Sequence, residues 1–144
     1  MEYFVIGKCK NLEVVEQYIA NCMKHLNIHR LRSKSVVIKF KNNLHDDAQG
    51  YCFAFDDVAE VTIGKKWSGR NMTFLEQMQT LAHELVHVKQ YFRKELTYAN
   101  TGEFCWKKRN AGGYKYENQP WEKEAFRLEK ELFLECFPFH MNIN

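Results

Sequence analysis

Proline is scarce in this chain of 144 residues: only Pro120 and Pro138 occur. Glycine numbers seven, and no Gly/Ser-rich run, low-complexity segment or internal repeat interrupts the sequence. Such a chain has no evident linker, so one domain spanning residues 1 to 144 is expected. The five cysteines (Cys9, Cys22, Cys52, Cys105, Cys136) are odd in number and never spaced Cys-x-x-Cys. That excludes a Cys-rich zinc ribbon and suggests reduced thiols in a cytoplasmic protein. No apolar run approaches the ~20 residues that cross a bilayer, and the patch in "MEYFVIGKCK" is too short for a secretory signal. No membrane partner is expected. A net charge of +3 is only mildly basic and nominates no polyanionic partner by itself.

What is present is periodicity. In "NLEVVEQYIANCMKHLNI" apolar residues recur every three or four positions, which predicts an amphipathic helix over residues 11 to 28. "SVVIKF" (35 to 40) is rich in β-branched residues and predicts a strand. Two more strands, about 51 to 55 and 59 to 65, flank a turn at Asp56-Asp57. Thr73 with Glu76 three residues on forms a capping box, opening a helix expected to reach about Leu96. Residues 97 to 119 alternate aromatic and basic side chains around Gly112-Gly113, as in a long hairpin or surface loop. Pro120 suits the first position of a last helix. The order α-β-β-β-α-loop-α predicts an α+β fold with one small, mostly antiparallel sheet.

The predicted central helix carries "HELVH", residues 83 to 87. Positions four apart on a helix share a face, so His83 and His87 can aim imidazole nitrogens at one point. Zn²⁺ accepts such nitrogens at about 2.0–2.1 Å and, in a catalytic site, needs one more protein ligand and a water. Glu84 is then placed to take a proton from that water, whose pKa the metal lowers to about 7. A metzincin would continue with a glycine and a third histidine where this chain has Gln90 and Arg93, so that class is excluded.

The third ligand is sought on the last predicted helix. On a helical wheel Trp121, Ala125, Leu128, Leu132 and Cys136, with Phe126, Phe133 and Phe137, form a broad apolar arc. Glu122 falls inside it, and a carboxylate on a buried face is costly unless paired or bound to metal. Ala125, one turn on, is small enough to let the two helices approach. Glu122 is the expected ligand, with Glu124 as the alternative. Glu129, also within the arc, is a candidate partner orienting one of the histidines.

HExxH followed by a glutamate on a later helix resembles the gluzincin pattern of thermolysin-like peptidases. The preceding strand pair, "LAHELVHVKQY" and "QPWEKEAFRLEKEL" together resemble small bacteriophage-encoded metallopeptidase-like proteins. More distantly they are similar to ImmA/IrrE-type and SprT-like metallopeptidases. The resemblance spans roughly residues 50 to 135. In ImmA/IrrE-type proteins an acid-x-x-Ala pattern supplies the third ligand, which would fall on Glu122-x-x-Ala125. SprT-like enzymes use a third histidine, and none stands in a matching place here. The resemblance implies a compact zincin-like domain in the cytoplasm of a phage host. It also implies a cleft whose rim, residues 59 to 65, adds a peptide as an extra strand.

A zinc metallopeptidase acting on a peptide or protein, even one dedicated partner, is therefore the leading expectation. Tyr114 and Tyr116, just before the ligand helix, are candidates for stabilising an oxyanion, because some gluzincins carry a tyrosine there. Two alternatives come from other features. In "GKKWSGR" and "CWKKRN" basic residues flank Trp67 and Trp106, a pattern that can serve nucleic acid. A catalytically silent zinc site that only stabilises an interaction module is the other, although such a site has no need of an acid at Glu84.

Overall fold

The computed structural model describes residues 1–98 and 102–143. Its α+β fold is built on a four-stranded sheet of β1 (Glu2–Ile6), β2 (Ser35–Lys41), β3 (Gly50–Phe55) and β4 (Val58–Gly64). The spatial order is β1-β2-β4-β3, with β1–β2 and β2–β4 parallel and β3–β4 antiparallel. Two small antiparallel sheets accompany it: β5 (Lys66–Trp67) with β6 (Arg70–Asn71), and β7 (Leu96–Tyr98), β8 (Phe104–Trp106) and β9 (Arg109–Asn110). Pairings across the described residues are mostly antiparallel, while the main sheet itself is mixed.

The added strand is β1, which joins β2 in parallel register, Phe4 opposite Val37. A parallel pair needs a crossover, and α1 (Leu12–His25) provides it. This helix is shorter than the expected 11 to 28, because Leu26 closes it as C-cap and Asn27 turns to positive φ. The β3–β4 hairpin turns at Asp56-Asp57 as expected, with Phe55 opposite Val58.

Strand alternation decides what the sheet covers. Val36, Ile38 and Phe40 on β2 and Ala59, Val61 and Ile63 on β4 are all buried, at alternate positions. They share one apolar cluster with Tyr18 and Ile19 of α1 and with Met78, Leu81 and Leu85 of the helix α2 (Phe74–Phe92). Each such side chain contributes about 1.5–3 kcal/mol by leaving water. The opposite sheet face stays open, with Phe4, Phe53 and Phe55 exposed.

Helix α2 starts with both hydrogen bonds of the Thr73–Glu76 capping box and ends at Phe92, four residues before the expected Leu96. The chain then leaves in β7. Helix α3 (Pro120–Cys136) begins with Pro120 at its first turn and packs along α2 through Ala125, which is fully buried. The expected hairpin over 97 to 119 takes the form of the end of β7, then β8 and β9, then a short 3-10 turn at Tyr116–Asn118. Leu96, Ala111 and Trp121 form a second apolar cluster under it, with Phe104 and Trp106 packed against them. The expectation for residues 99 to 101 lies outside the described residues.

Candidate metal centre

His83 and His87 stand one turn apart in the middle of α2, both buried. The buried neighbours Leu81, Ala82, Leu85, Val86 and Val88 fix the rotation of the helix, and the histidines face the gap beneath α3. There Glu122, in the first turn of α3, meets both rings. Its Oε1 lies 2.9 Å from His83 Nε2 and 3.2 Å from His87 Nε2. One ligand atom from each of the three residues falls within 4.8 Å of the others.

Each ring is held from behind. His83 Nδ1 is 3.3 Å from Glu129 Oε1, two turns further along α3 than Glu122. His87 Nδ1 is 2.8 Å from Gln90 Oε1. When these Nδ1–H groups donate, both Nε2 lone pairs point at the space beside Glu122. Gln90 is itself fixed: its Nε2 donates to the Trp121 carbonyl at 2.9 Å and to Glu124 Oε1 at 3.2 Å.

The alternative ligand, Glu124, is turned away. Lys89 on α2 donates to its carboxylate at 3.0 Å, so it belongs to the ion-paired belt of Lys89 and Glu95 beside the site. Of the two tyrosines, Tyr116 reaches the site, donating to Glu122 Oε1 at 3.2 Å. Tyr114 is exposed and is not among the residues around the cleft.

Burial and charge act together on the titrations. Burial opposes the charged form of His83, but its bonds to Glu122 and Glu129 and the charge of Glu84 overcome this, raising its pKa to about 10. Burial would raise Glu122, yet the two histidines hold it down at about 2. Glu84 is 6% exposed, and loss of water pushes its carboxyl up to about 7, with the histidine charges opposing and Glu122 and Glu129 adding to the rise. The carboxylates of Glu84, Glu122 and Glu129 gathered around two imidazoles make a negative setting in which a divalent cation could replace the ring protons.

The donor set fits such an ion. Ligands held at 2.0–2.1 Å in a tetrahedron lie about 3.3 Å apart, and the Glu122–imidazole separations of 2.9 and 3.2 Å are close to that spacing. Two imidazole nitrogens and one carboxylate oxygen make a three-ligand set with a position to spare, the pattern of a catalytic zinc.

The site opens into a cleft of about 740 Å³ between β3 and α3, walled by Tyr91, Tyr98, Phe104, Trp121 and Phe126. Phe126 departs from its expected core position: it is 48% exposed and stands edge-on to His83, with ring centroids 4.6 Å apart. The rim also differs from expectation. Residues 59 to 65 fall largely in β4, which is paired on both sides by β2 and β3 and has no free edge. The strand at the sheet edge is β3, and its Gly50, Tyr51 and Cys52 line the cleft.

Gly50 allows that approach. A Cβ there would meet Thr80 Cγ2 at 2.8 Å and Glu84 Cγ and Oε1 at 3.2 Å. Sequence reasoning passed over both Gly50 and Gln90. A glycine opening a strand was a visible signal for Gly50, and an amide one turn after His87 on an apolar face was the signal for Gln90.

The tryptophans of the two basic stretches are occupied locally. Trp67 Nε1 donates to the Asp47 carbonyl at 2.7 Å. Trp106 packs near Trp121, with Lys107 Nζ 5.3 Å from its ring centroid. Among the described residues no helix is long and apolar enough to cross a membrane. No family model, curated protein or solved structure matches the chain.

Proposed function

We propose that the protein is a zinc-dependent metallopeptidase of gluzincin type, with His83, His87 and Glu122 holding the metal and Glu84 as general base. The carrying observation is the meeting of both Nε2 atoms at one carboxylate while Glu84, on the same turn, faces the cleft. Zinc at that point supplies Lewis acidity, lowering the pKa of a water and polarising the scissile carbonyl.

The chain's own groups do the rest. Glu84, buried beside the first histidine and facing the cleft, is placed to accept a proton from the attacking water and return it to the leaving amine. Glu129 and Gln90 fix the ring orientations of His83 and His87. The Tyr116 hydroxyl donates at the site, and it is the candidate to hydrogen-bond the oxyanion. The edge strand β3 offers unpaired backbone groups along which an extended substrate segment can pair, replacing the rim first expected at 59 to 65. The aromatic walls suit an unfolded or flexible peptide with an apolar side chain beside the cleaved bond.

The test is zinc content together with hydrolysis of casein by wild type and Glu84→Gln. Stoichiometric zinc in both proteins and proteolysis in the wild type alone is the expected result, with a loss of about 10²–10⁴-fold in the variant. Protein that is metal-free as purified and shows no Zn²⁺ affinity on titration overturns the site. Zinc binding without proteolysis of any peptide supports instead a metal-stabilised interaction protein.

A further inference from the structure

A second cavity, of about 660 Å³, lies apart from the cleft and shares none of its lining residues. Its walls follow directly after the carboxyl ends of the three parallel strands. Lys8 and Lys10 come after β1, Asn42 after β2 and Lys65 after β4, while Lys66 and Asn71 come from the β5–β6 hairpin. Crevices outside the carboxyl ends of parallel strands are where open sheets gather their ligands.

The charge in this groove is of one sign. Four lysines line it and no aspartate or glutamate does. Three lysines elsewhere, Lys34, Lys39 and Lys89, each meet a carboxylate within 3.0 Å. Among the described residues Lys8, Lys10, Lys65 and Lys66 have no ion-pair partner. Glu76, the acid in the first turn of the adjacent helix, is taken by the Arg70 guanidinium and the Thr73 backbone amide. Four cationic side chains around one concavity, with no carboxylate in its lining, favour an anion there.

We infer that this groove is a binding site for an oligophosphate group, with Lys8, Lys10, Lys65 and Lys66 as its cationic contacts. Flexible ammonium groups meet phosphate oxygens as point charges without fixing the rest of the ligand. The asparagines add amide donors at the rim. The aromatic ring in the lining, Phe74, is half-buried and stands edge-on to Phe137, and Trp67, the neighbour of Lys66, is turned into the other cavity and bonded to Asp47. The four lysines are the charged contacts on offer, which places recognition on the phosphates. The phosphates can come as a free chain or on a nucleotide.

Tripolyphosphate and ATP, without added divalent cation, are titrated into the zinc-loaded protein in 100 mM NaCl and followed by amide chemical shifts. The expected result is saturable binding with shifts at Lys8–Lys10, Asn42 and Lys65–Lys66. Lys8→Ala/Lys10→Ala and Lys65→Ala/Lys66→Ala should each weaken it at least about tenfold, while Lys107→Ala/Lys108→Ala leaves it unchanged. Equal affinity for the two probes assigns the site to phosphate alone, and tighter ATP binding assigns it to a nucleotide. No binding at 1 mM, or shifts confined to the surroundings of His83, His87 and Glu122, overturns the inference. So does equal weakening by the Lys107/Lys108 control, or oligonucleotide binding that tripolyphosphate does not displace. None of these readouts depends on peptidase activity.

Discussion

The two cavities handle charge in opposite ways. Around His83 the groups that hold the rings are locked to one another: Glu122 to two imidazoles, Glu129 and Gln90 to the ring backs, Glu124 to Lys89, while Glu84 faces the cleft. In the groove at the strand ends, four lysines line one concavity with no carboxylate among them. A locked network holds geometry to tenths of an ångström and suits chemistry at a fixed point. A cluster of flexible like charges holds no geometry and suits a mobile anion. The difference lies in burial as well, since the histidines are buried whereas Lys8, Lys10 and Lys66 reach solvent.

The sharpest way to break this contrast is to remove the acid at the centre of the network. Glu122→Ala should lower zinc affinity by more than about 100-fold, beyond the range expected from losing an outer hydrogen bond. Glu124→Ala, whose carboxylate is directed at Lys89, should keep its zinc. Competition with a chromophoric chelator measures both, and zinc loss at Glu124 with retention at Glu122 would reverse the assignment.

A smaller effect is expected one bond further out. Gln90→Ala frees the Nδ1 side of His87 and should cost about 10–100-fold in zinc affinity, readable by the same competition. An unchanged affinity would mean that the network does not transmit orientation to the ring.

Protons sharpen the comparison next. In the metal-free protein His83 titrates at about 10 and Glu122 at about 2. A raised histidine contributes stability that is whole below its ordinary pKa of 6.5 and is lost as pH rises through about 10. A depressed carboxylate contributes stability present above its ordinary 4.5 and lost as pH falls through about 2. The pair is therefore fully stabilising between about 4.5 and 6.5. At pH 7 zinc must displace a proton from His83 and the fraction carried by His87, whose pKa is also raised, so at least about one proton should be released per metal bound. Calorimetry in buffers of different ionisation enthalpy measures it, and a buffer-independent heat would refute it.

The smallest effect is expected in the groove. Lys8→Ala/Lys10→Ala removes no partner and should shift stability by no more than about 0.5 kcal/mol. Urea denaturation reads this, and a loss of several kcal/mol would show that these lysines are structural.

The centre of the site was legible because its rules are local. The i, i+4 spacing of His83 and His87, the Thr73–Glu76 box and Pro120 at the start of α3 all act within one or two turns. Glu122 stood out as an acid on an apolar arc. Choosing it over Glu124 needed a fact from another helix, that Lys89 stands opposite Glu124 and draws it aside. The edge of the sheet was not legible for the same reason. Strand 58–64 reads much like strand 50–55, and only pairing with the distant β2 puts it in the centre and leaves β3 outside. β1 escaped notice because five residues with alternate positions exposed carry a weak pattern, and its partner lies beyond a helix.

The contacts of His83 and His87 with Glu122 close spans of 39 and 35 residues. Helix α2 can form from its own cap and apolar face, but the ligand set exists only once α3 has docked. The entropy of closing such a span grows only as the logarithm of its length, so the separation in sequence adds little to the cost of assembling the set. On the proposed reading, an ion held there would staple α2 to α3, and metal binding and the docking of α3 would stabilise each other.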